Sequence, residues 1–196
     1  MVIGIMGGIG SGKTEVCNYM EEKYNAFVID SDEVAKEVMR PGTEVFDEVV
    51  KEFPSAIRNE EFDPSELAKI VFNDREKLAK LNELTHPLVI ENIKEKISLS
   101  NADIIVLESA LFVGTNLKEL CDELWFIFCN KEVRIDRLMV TRDYSRDKAV
   151  SIINSQPTDD EYNLIADEFI DNSDDFKHFQ EQIDYVMEMM QGEGCE

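Results

Sequence analysis

Gly7-Gly8-Ile9-Gly10-Ser11-Gly12-Lys13-Thr14 is a complete G-x-x-x-x-G-K-[ST] loop, and it begins directly after the apolar run Val2-Ile3-Gly4-Ile5-Met6. Glycines in such a loop let successive backbone N–H groups point inward and form a nest for phosphate oxygens, and the helix that follows adds its positive end. Lys13 is placed to neutralise β- and γ-phosphate charge, and the Thr14 hydroxyl to ligate Mg²⁺. The competing reading is a glycine-rich turn with an accidental Gly-Lys-Thr. A buried-type strand before the loop and a helix-forming stretch at residues 15–23 after it argue against that reading. Gly8, Ile9, Gly10, Ser11, Gly12, Lys13 and Thr14 are therefore the expected nucleotide triphosphate contacts.

Outward from the loop, strands and helices alternate. Ala26-Phe27-Val28-Ile29 is a short β-type run that ends in Asp30-Ser31-Asp32, and a helix restarts at residues 33–39. Residues 40–99 follow a helical pattern broken by Pro41-Gly42, Pro54, Pro64 and Pro87, with no convincing strand. Strand runs return at residues 103–107, 124–128 and 168–170, each continuously apolar as suits a sheet covered on both faces. The expected architecture is a three-layer, doubly wound α/β fold with a mostly parallel five-stranded sheet, of the type that carries phosphate loops. All 196 residues form one domain in this reading, with a helical insertion at about 40–99 and a lid at about 134–160. Ligands of such folds lie outside the carboxyl ends of the strands.

Composition narrows the partners. The formal net charge is −22, which argues against nucleic acid, because a phosphate backbone is bound chiefly by Lys and Arg. No apolar run approaches the roughly 20 residues needed to span a bilayer, and no leader precedes the first strand, so a cytoplasmic location is expected. Cys17, Cys121, Cys129 and Cys195 show no metal-ligand spacing and read as reduced thiols, the first three as core filler. Phe176, Phe179, Ile183, Val186 and Met187 line one face of a C-terminal amphipathic helix expected to cover the sheet. Residues 191–196 are expected to be disordered, leaving Cys195 exposed. Oligomeric state is left open.

Charged residues supply the candidate chemistry. Asp30, Asp32 and Glu108 follow expected strands, so the fold would bring them toward the loop. Asp32 reads either as a helix cap or as the carboxylate that takes the proton of an attacking hydroxyl, and Glu108 as one that helps hold hydrated Mg²⁺. Arg134, Arg137, Arg142 and Arg146 crowd together in an otherwise acidic chain. They read either as a solvated helix face, the reading that suits Arg134 as well as any, or as groups that bind phosphate oxygens and stabilise phosphoryl transfer.

These residues resemble the dephospho-CoA kinases. The resemblance runs from the loop through Val28-Ile29-Asp30-Ser31-Asp32, Pro41-Gly42, Leu67, Val71-Phe72, Leu81-Asn82-Glu83-Leu84-Thr85-His86-Pro87 and Leu111-Phe112 to Arg137, Arg142, Gln156, Ala166-Asp167 and Asp171-Asn172. It implies transfer of the γ-phosphoryl of ATP to the 3′-hydroxyl of dephospho-CoA, with Mg²⁺. It also implies Asp32 as general base at the acceptor hydroxyl, and Lys13, Arg137 and Arg142 around the transferring group, the two arginines on a closing lid. Asn172 would lie near the adenine, while Leu111 and the helical block would face the acceptor. His86 is left between substrate contact and a structural role at a helix bend.

The chain departs from the family pattern at four places. Glu108 stands where aspartate is common, and Gly114 stands where the family has an acidic residue. Pro64 and Tyr162 stand where it has basic ones, so two phosphate-seeking charges are missing. Two further readings follow from these departures: a kinase of a nucleoside or other small molecule, and a regulatory nucleotide-binding protein with weak turnover.

Overall fold

The computed structural model describes residues 1–58, 61–72 and 74–192. In chain order the elements are β1 (Val2–Met6), α1 (Lys13–Tyr24), β2 (Phe27–Asp30), α2 (Ser31–Val38), α3 (Glu44–Glu52), β3 (Ile57–Arg58), β4 (Glu61–Phe62), α4 (Pro64–Phe72) and α5 (Arg75–Leu99). They continue with β5 (Ile105–Glu108), β6 (Glu123–Phe128), α6 (Lys131–Arg142), α7 (Arg146–Asn154), α8 (Asp159–Asn163), β7 (Glu168–Asp171) and α9 (Phe176–Gly192). The chain divides into two compact units, residues 1–28 with 101–196, and residues 29–100.

A five-stranded sheet has the order β2-β5-β1-β6-β7, and all of its strands but the second half of β2 belong to the first unit. β1 pairs in parallel with β5 and with β6, and β6 with β7, so these four strands reach one end of the sheet together. The chain moves to one side of β1 for β2 and β5 and to the other for β6 and β7. This places the switch point, where ligands of open α/β sheets bind, at the carboxyl end of β1. Alternation along the strands decides the layers. Ile3, Ile5, Val106, Trp125, Ile127 and Ile170 pack with Val16, Cys17 and Met20 of α1 and with Phe179, Ile183, Val186 and Met187 of α9. Phe126, on the opposite parity, stacks on Tyr162 of α8 at a centroid distance of 5.2 Å. At Gly4 a Cβ would come within 2.4 Å of Leu124 Cδ2 and 2.8 Å of Phe112 Cζ, so the centre of this face closes only on a residue without a side chain.

The second unit is helical and has its own small core. Val45, Val49 and Phe53 recur at helical spacing and pack with Ala56 and Leu67, flanked by Phe62, Leu81, Leu84 and Leu88. Its two-residue strands β3 and β4 pair antiparallel, Ile57 with Phe62 and Arg58 with Glu61, where the sequence shows no convincing strand. Pairs this short carry too little alternation to be read from pattern. α5 runs unbroken through Pro87, where a bend is expected.

Two expectations about the C-terminal segment are corrected. Helix α9 extends through Gly192, so order continues past residue 191, and Phe176 is exposed rather than on the covering face. Residues 193–196, with Cys195, lie outside the described residues. Cys17 and Cys129 are buried thiols outside any disulfide, and burial pushes Cys121 up to about 12, aided by the charge of Asp122.

Candidate functional site

The loop follows β1 at the switch point. Gly12 caps α1 in the left-handed region, with φ 100° and ψ 24°, a conformation that costs a glycine little. The same residue is also hemmed in, because a Cβ there would lie 1.9 Å from Asn172 Nδ2. Asn172 is buried at the end of β7, and its Nδ2 donates to the Ser11 carbonyl at 2.8 Å. Its amide is thus engaged with the loop backbone itself.

Lys13 and Glu108 meet at the carboxyl ends of β1 and β5. Lys13 Nζ lies 3.7 Å from Glu108 Oε1, and the Cys17 thiol donates to Glu108 Oε2 at 3.5 Å. Both charged side chains are largely shielded from solvent, so the pair is screened far less than a surface one. Thr14 is exposed in the first turn of α1. Leu111 is half-buried beyond β5, its N–H bonded to Ser109 Oγ at 3.0 Å.

The arginines do not act as one cluster. Arg134 is buried, so it is not a solvated face, and it reaches the loop: its Nε donates to the Ile9 carbonyl at 2.9 Å. Arg137 Nη2 donates to the Asn172 carbonyl at 2.9 Å, and its Nη1 to the Gly10 carbonyl at 3.4 Å. Arg142 is exposed at the end of α6 and makes no hydrogen bond or ion pair among the described residues. Arg146 pairs with Glu132 on the surface. Ile9 donates its N–H to Gln156 Oε1 at 2.7 Å, which commits that amide to protein.

Tyr162 corrects an expectation. The family pattern aligns it with a phosphate-seeking basic residue, yet it is fully buried against Phe126. The reason is local: Thr158 and Glu161 form a capping box that fixes α8 and turns Tyr162 toward the sheet. Burial pushes the Tyr162 phenol up, and the nearby Arg134 guanidinium pulls the other way.

Asp32 and His86 belong to the second unit. Asp30 Oδ1 accepts the N–H groups of Asp32 and Glu33, so Asp30 is the cap of α2. Asp32 sits exposed in the first turn, where a carboxylate favours the positive end of the helix, while the cap itself is Asp30. His86 is half-buried in α5, makes no hydrogen bond among the described residues, and is pushed below its ordinary pKa by burial. Two departures from the family pattern also have structural reasons here. Pro64 opens α4, the position where its missing N–H costs nothing, beside the cap residue Asp63. In the first unit Gly114 has φ 82°, where a Glu would be strained.

Sequence reasoning did not single out Arg134 and Gln156 as supports of the loop. Gln156 was visible only through the family pattern. No local signal marks a residue whose partner lies 125 or 147 positions away.

A parallel sheet with this loop at its switch point, a lysine opening the following helix and a carboxylate beside it defines a P-loop nucleotide-binding fold. The profile of the dephospho-CoA kinase family matches residues 1–178. A dephospho-CoA kinase of Carboxydothermus hydrogenoformans is 37% identical over 187 residues, covering 93% of this chain and 90% of that one. One of Oceanobacillus iheyensis is 32% identical, covering 96% of each. Among solved structures, Thermus thermophilus TT1252 superposes with a TM-score of 0.83 at 25% identity, covering 96% of this chain and 97% of the other. A shikimate kinase from Bacteroides thetaiotaomicron shares the fold, with a TM-score of 0.56 at 14% identity over 97% and 98% of the two chains. The chain belongs to the dephospho-CoA kinase family, whose members are ATP-dependent kinases.

Proposed function

We propose that this protein transfers the γ-phosphoryl group of ATP to the 3′-hydroxyl of dephospho-CoA. The reading rests above all on one observation: the loop is intact, and its Lys13 lies 3.7 Å from Glu108 at the switch point of the sheet. The loop N–H groups and Lys13 hold the β- and γ-phosphates, where fixed donors stabilise charge without reorganising. Asp32 accepts the proton of the attacking hydroxyl as the O–P bond forms and ADP leaves. Arg142, exposed and unpaired among the described residues at the end of α6, reaches the triphosphate when the turn between α6 and α7 closes, and Arg137 holds the loop from the body of α6. Asn172, bonded to Ser11, shapes the loop next to the adenine, while Leu111 and His86 contact the acceptor.

The donor set suits Mg²⁺. Among the described residues no group of three or more His, Cys, Asp or Glu side chains would cage a metal. Mg²⁺ at a triphosphate needs none, because it binds one or two protein oxygens and keeps several waters. The Thr14 hydroxyl would hold it directly and Glu108 through water. When bound it neutralises charge on the transferring group. No helix among the described residues is long and apolar enough to cross a membrane, and a cytoplasmic location is the proposal that follows from the family.

Steady-state turnover with dephospho-CoA against a panel of nucleosides and shikimate tests the acceptor. The expected result is a kcat/KM for dephospho-CoA at least about a hundredfold above every other acceptor. A nucleoside that matches it would replace this reading with the small-molecule kinase one. ATP binding without transfer to any acceptor would favour a regulatory protein.

A further inference from the structure

Ile9, the second variable residue of the loop, is held by α6, α7 and the turn that follows α7. Its carbonyl accepts from Arg134 Nε at 2.9 Å, and its N–H donates to Gln156 Oε1 at 2.7 Å. The same Gln156 oxygen accepts from Arg134 Nη2 at 3.2 Å, so the two side chains form a closed clamp on a single residue's backbone. The Ile9 side chain packs against Ile135 and Leu138 of α6 and Ala149 and Ile153 of α7.

Arg134 also accounts for Gly8, and it crowds Gly10, whose φ of 77° already calls for glycine. A Cβ on Gly8 would lie 1.9 Å from Arg134 Nη2 and 2.5 Å from its Cζ, although the φ of Gly8 is not in the left-handed region. A Cβ on Gly10 would meet the Arg134 carbonyl at 3.2 Å. Gly8 is therefore demanded by the guanidinium rather than by backbone conformation. Arg134 is 5% exposed, and its nearest counter-charge, Asp159, is half-exposed at 3.7 Å. A buried guanidinium is costly to desolvate and stays protonated, so its charge acts on whatever lies on the other side of the loop.

We infer that Arg134 is a positioning residue for the nucleotide: it orients the Ile9 peptide groups so that the remaining loop N–H groups face the triphosphate, and it adds a fixed positive charge behind them. This rests on the reading of the loop as the ATP site.

The test is ATP titration calorimetry with steady-state kinetics and thermal melts on R134K, R134M, G8A and the double variant G8A/R134M, in the full-length protein with Mg²⁺. R134K keeps the charge but not the planar fork, and is expected to raise the ATP Kd about tenfold or more. R134M, which loses the charge as well, is expected to raise it further. The KM for the acceptor should stay within about twofold in both, because the clamp touches only the loop. G8A should weaken ATP binding by a similar factor when Arg134 is present and hardly at all in the R134M background, the non-additivity expected of residues in contact.

Wild-type ATP affinity in both Arg134 variants, with only a lower Tm, would reduce Arg134 to a packing residue and overturn the inference. Multiplicative losses in the double variant would overturn it too. If R134M does not fold, R134K and its comparison with G8A decide the matter. K13A separates this inference from the reading beneath it. Undiminished ATP binding and turnover in K13A would show that the loop is not the nucleotide site, whatever Arg134 does.

Discussion

Two carboxylates, one ending β5 and one following β2, differ in their local surroundings. Glu108 is paired with Lys13 and accepts from the Cys17 thiol, which fixes its charge beside the loop. Asp32 lies exposed in the first turn of α2 while Asp30 does the capping, and its role as the proton acceptor is the proposal a single substitution tests. D32N keeps shape and hydrogen bonding but cannot take a proton. It is expected to lower kcat by about 10²–10⁴ with the ATP Kd within twofold, and to leave the melt almost unchanged. Steady-state kinetics and ATP titration together check this, and equal losses in kcat and ATP affinity would point to a structural role. His86 and Leu111 have no comparable local assignment, which is why the acceptor panel tests them and a single substitution does not.

Short elements carry much of the site's geometry. The five-residue helix α8 is fixed by its capping box and delivers Tyr162 into the sheet beside Arg134. Y162R would bury a second guanidinium next to the first, and a change of this kind costs about 3 kcal/mol or more. The expectation is a clearly lower Tm and no gain in ATP affinity; tighter ATP binding in a stable Y162R protein would place that position at the nucleotide after all. Helices α1 and α9 are tied at Asp184, which accepts from the hydroxyls of Tyr19 at 2.8 Å and Tyr24 at 2.7 Å and from Lys23 at 2.6 Å. Burial works to raise the Asp184 pKa, yet these hydrogen bonds together hold it below the ordinary carboxylate range. A depressed carboxylate stabilises the fold above its unfolded pKa and loses that contribution as pH falls through the folded value. D184A should therefore melt about 2–4 °C below wild type at neutral pH. The gap should close as pH drops below about 4, which paired melts across that range would reveal. A gap constant down to pH 2 would mean that packing, not charge, makes the tie.

At the scale of the whole chain, the net charge of −22 works against compaction. Screening shortens the range of that repulsion, from about 30 Å at 0.01 M salt to about 3 Å at 1 M. The Tm should accordingly rise as NaCl is raised from about 0.01 to about 0.5 M, and a flat or falling Tm would show that the local ion pairs outweigh the self-repulsion. The acidic surface also makes the positive charges at the loop stand out. Lys13, Arg134 and Arg137 are all drawn onto one loop, and two of them are held there by backbone carbonyls rather than by surface carboxylates.

The residues that spell the phosphate loop, the continuous apolar runs of β1, β5 and β6, and the ordered pattern shared with the kinase family were legible in the sequence, because each is a local code: a spacing, a period, a short word. Gly12 is such a case, since a left-handed residue before a helix calls for glycine wherever it occurs. Other features were decided only when distant segments met. Gly8 looks like one more flexible loop residue, yet its missing side chain is where Arg134 lies, 126 positions further on. Asn172 and Gln156 brace a loop about 150 residues before them, and Tyr162 faces the sheet rather than a ligand because a capping box sets its helix. The two-residue strands β3 and β4 exist only through each other. Local propensity fixes what a segment is, while burial and hydrogen-bond satisfaction, which depend on strand order, determine what each side chain does.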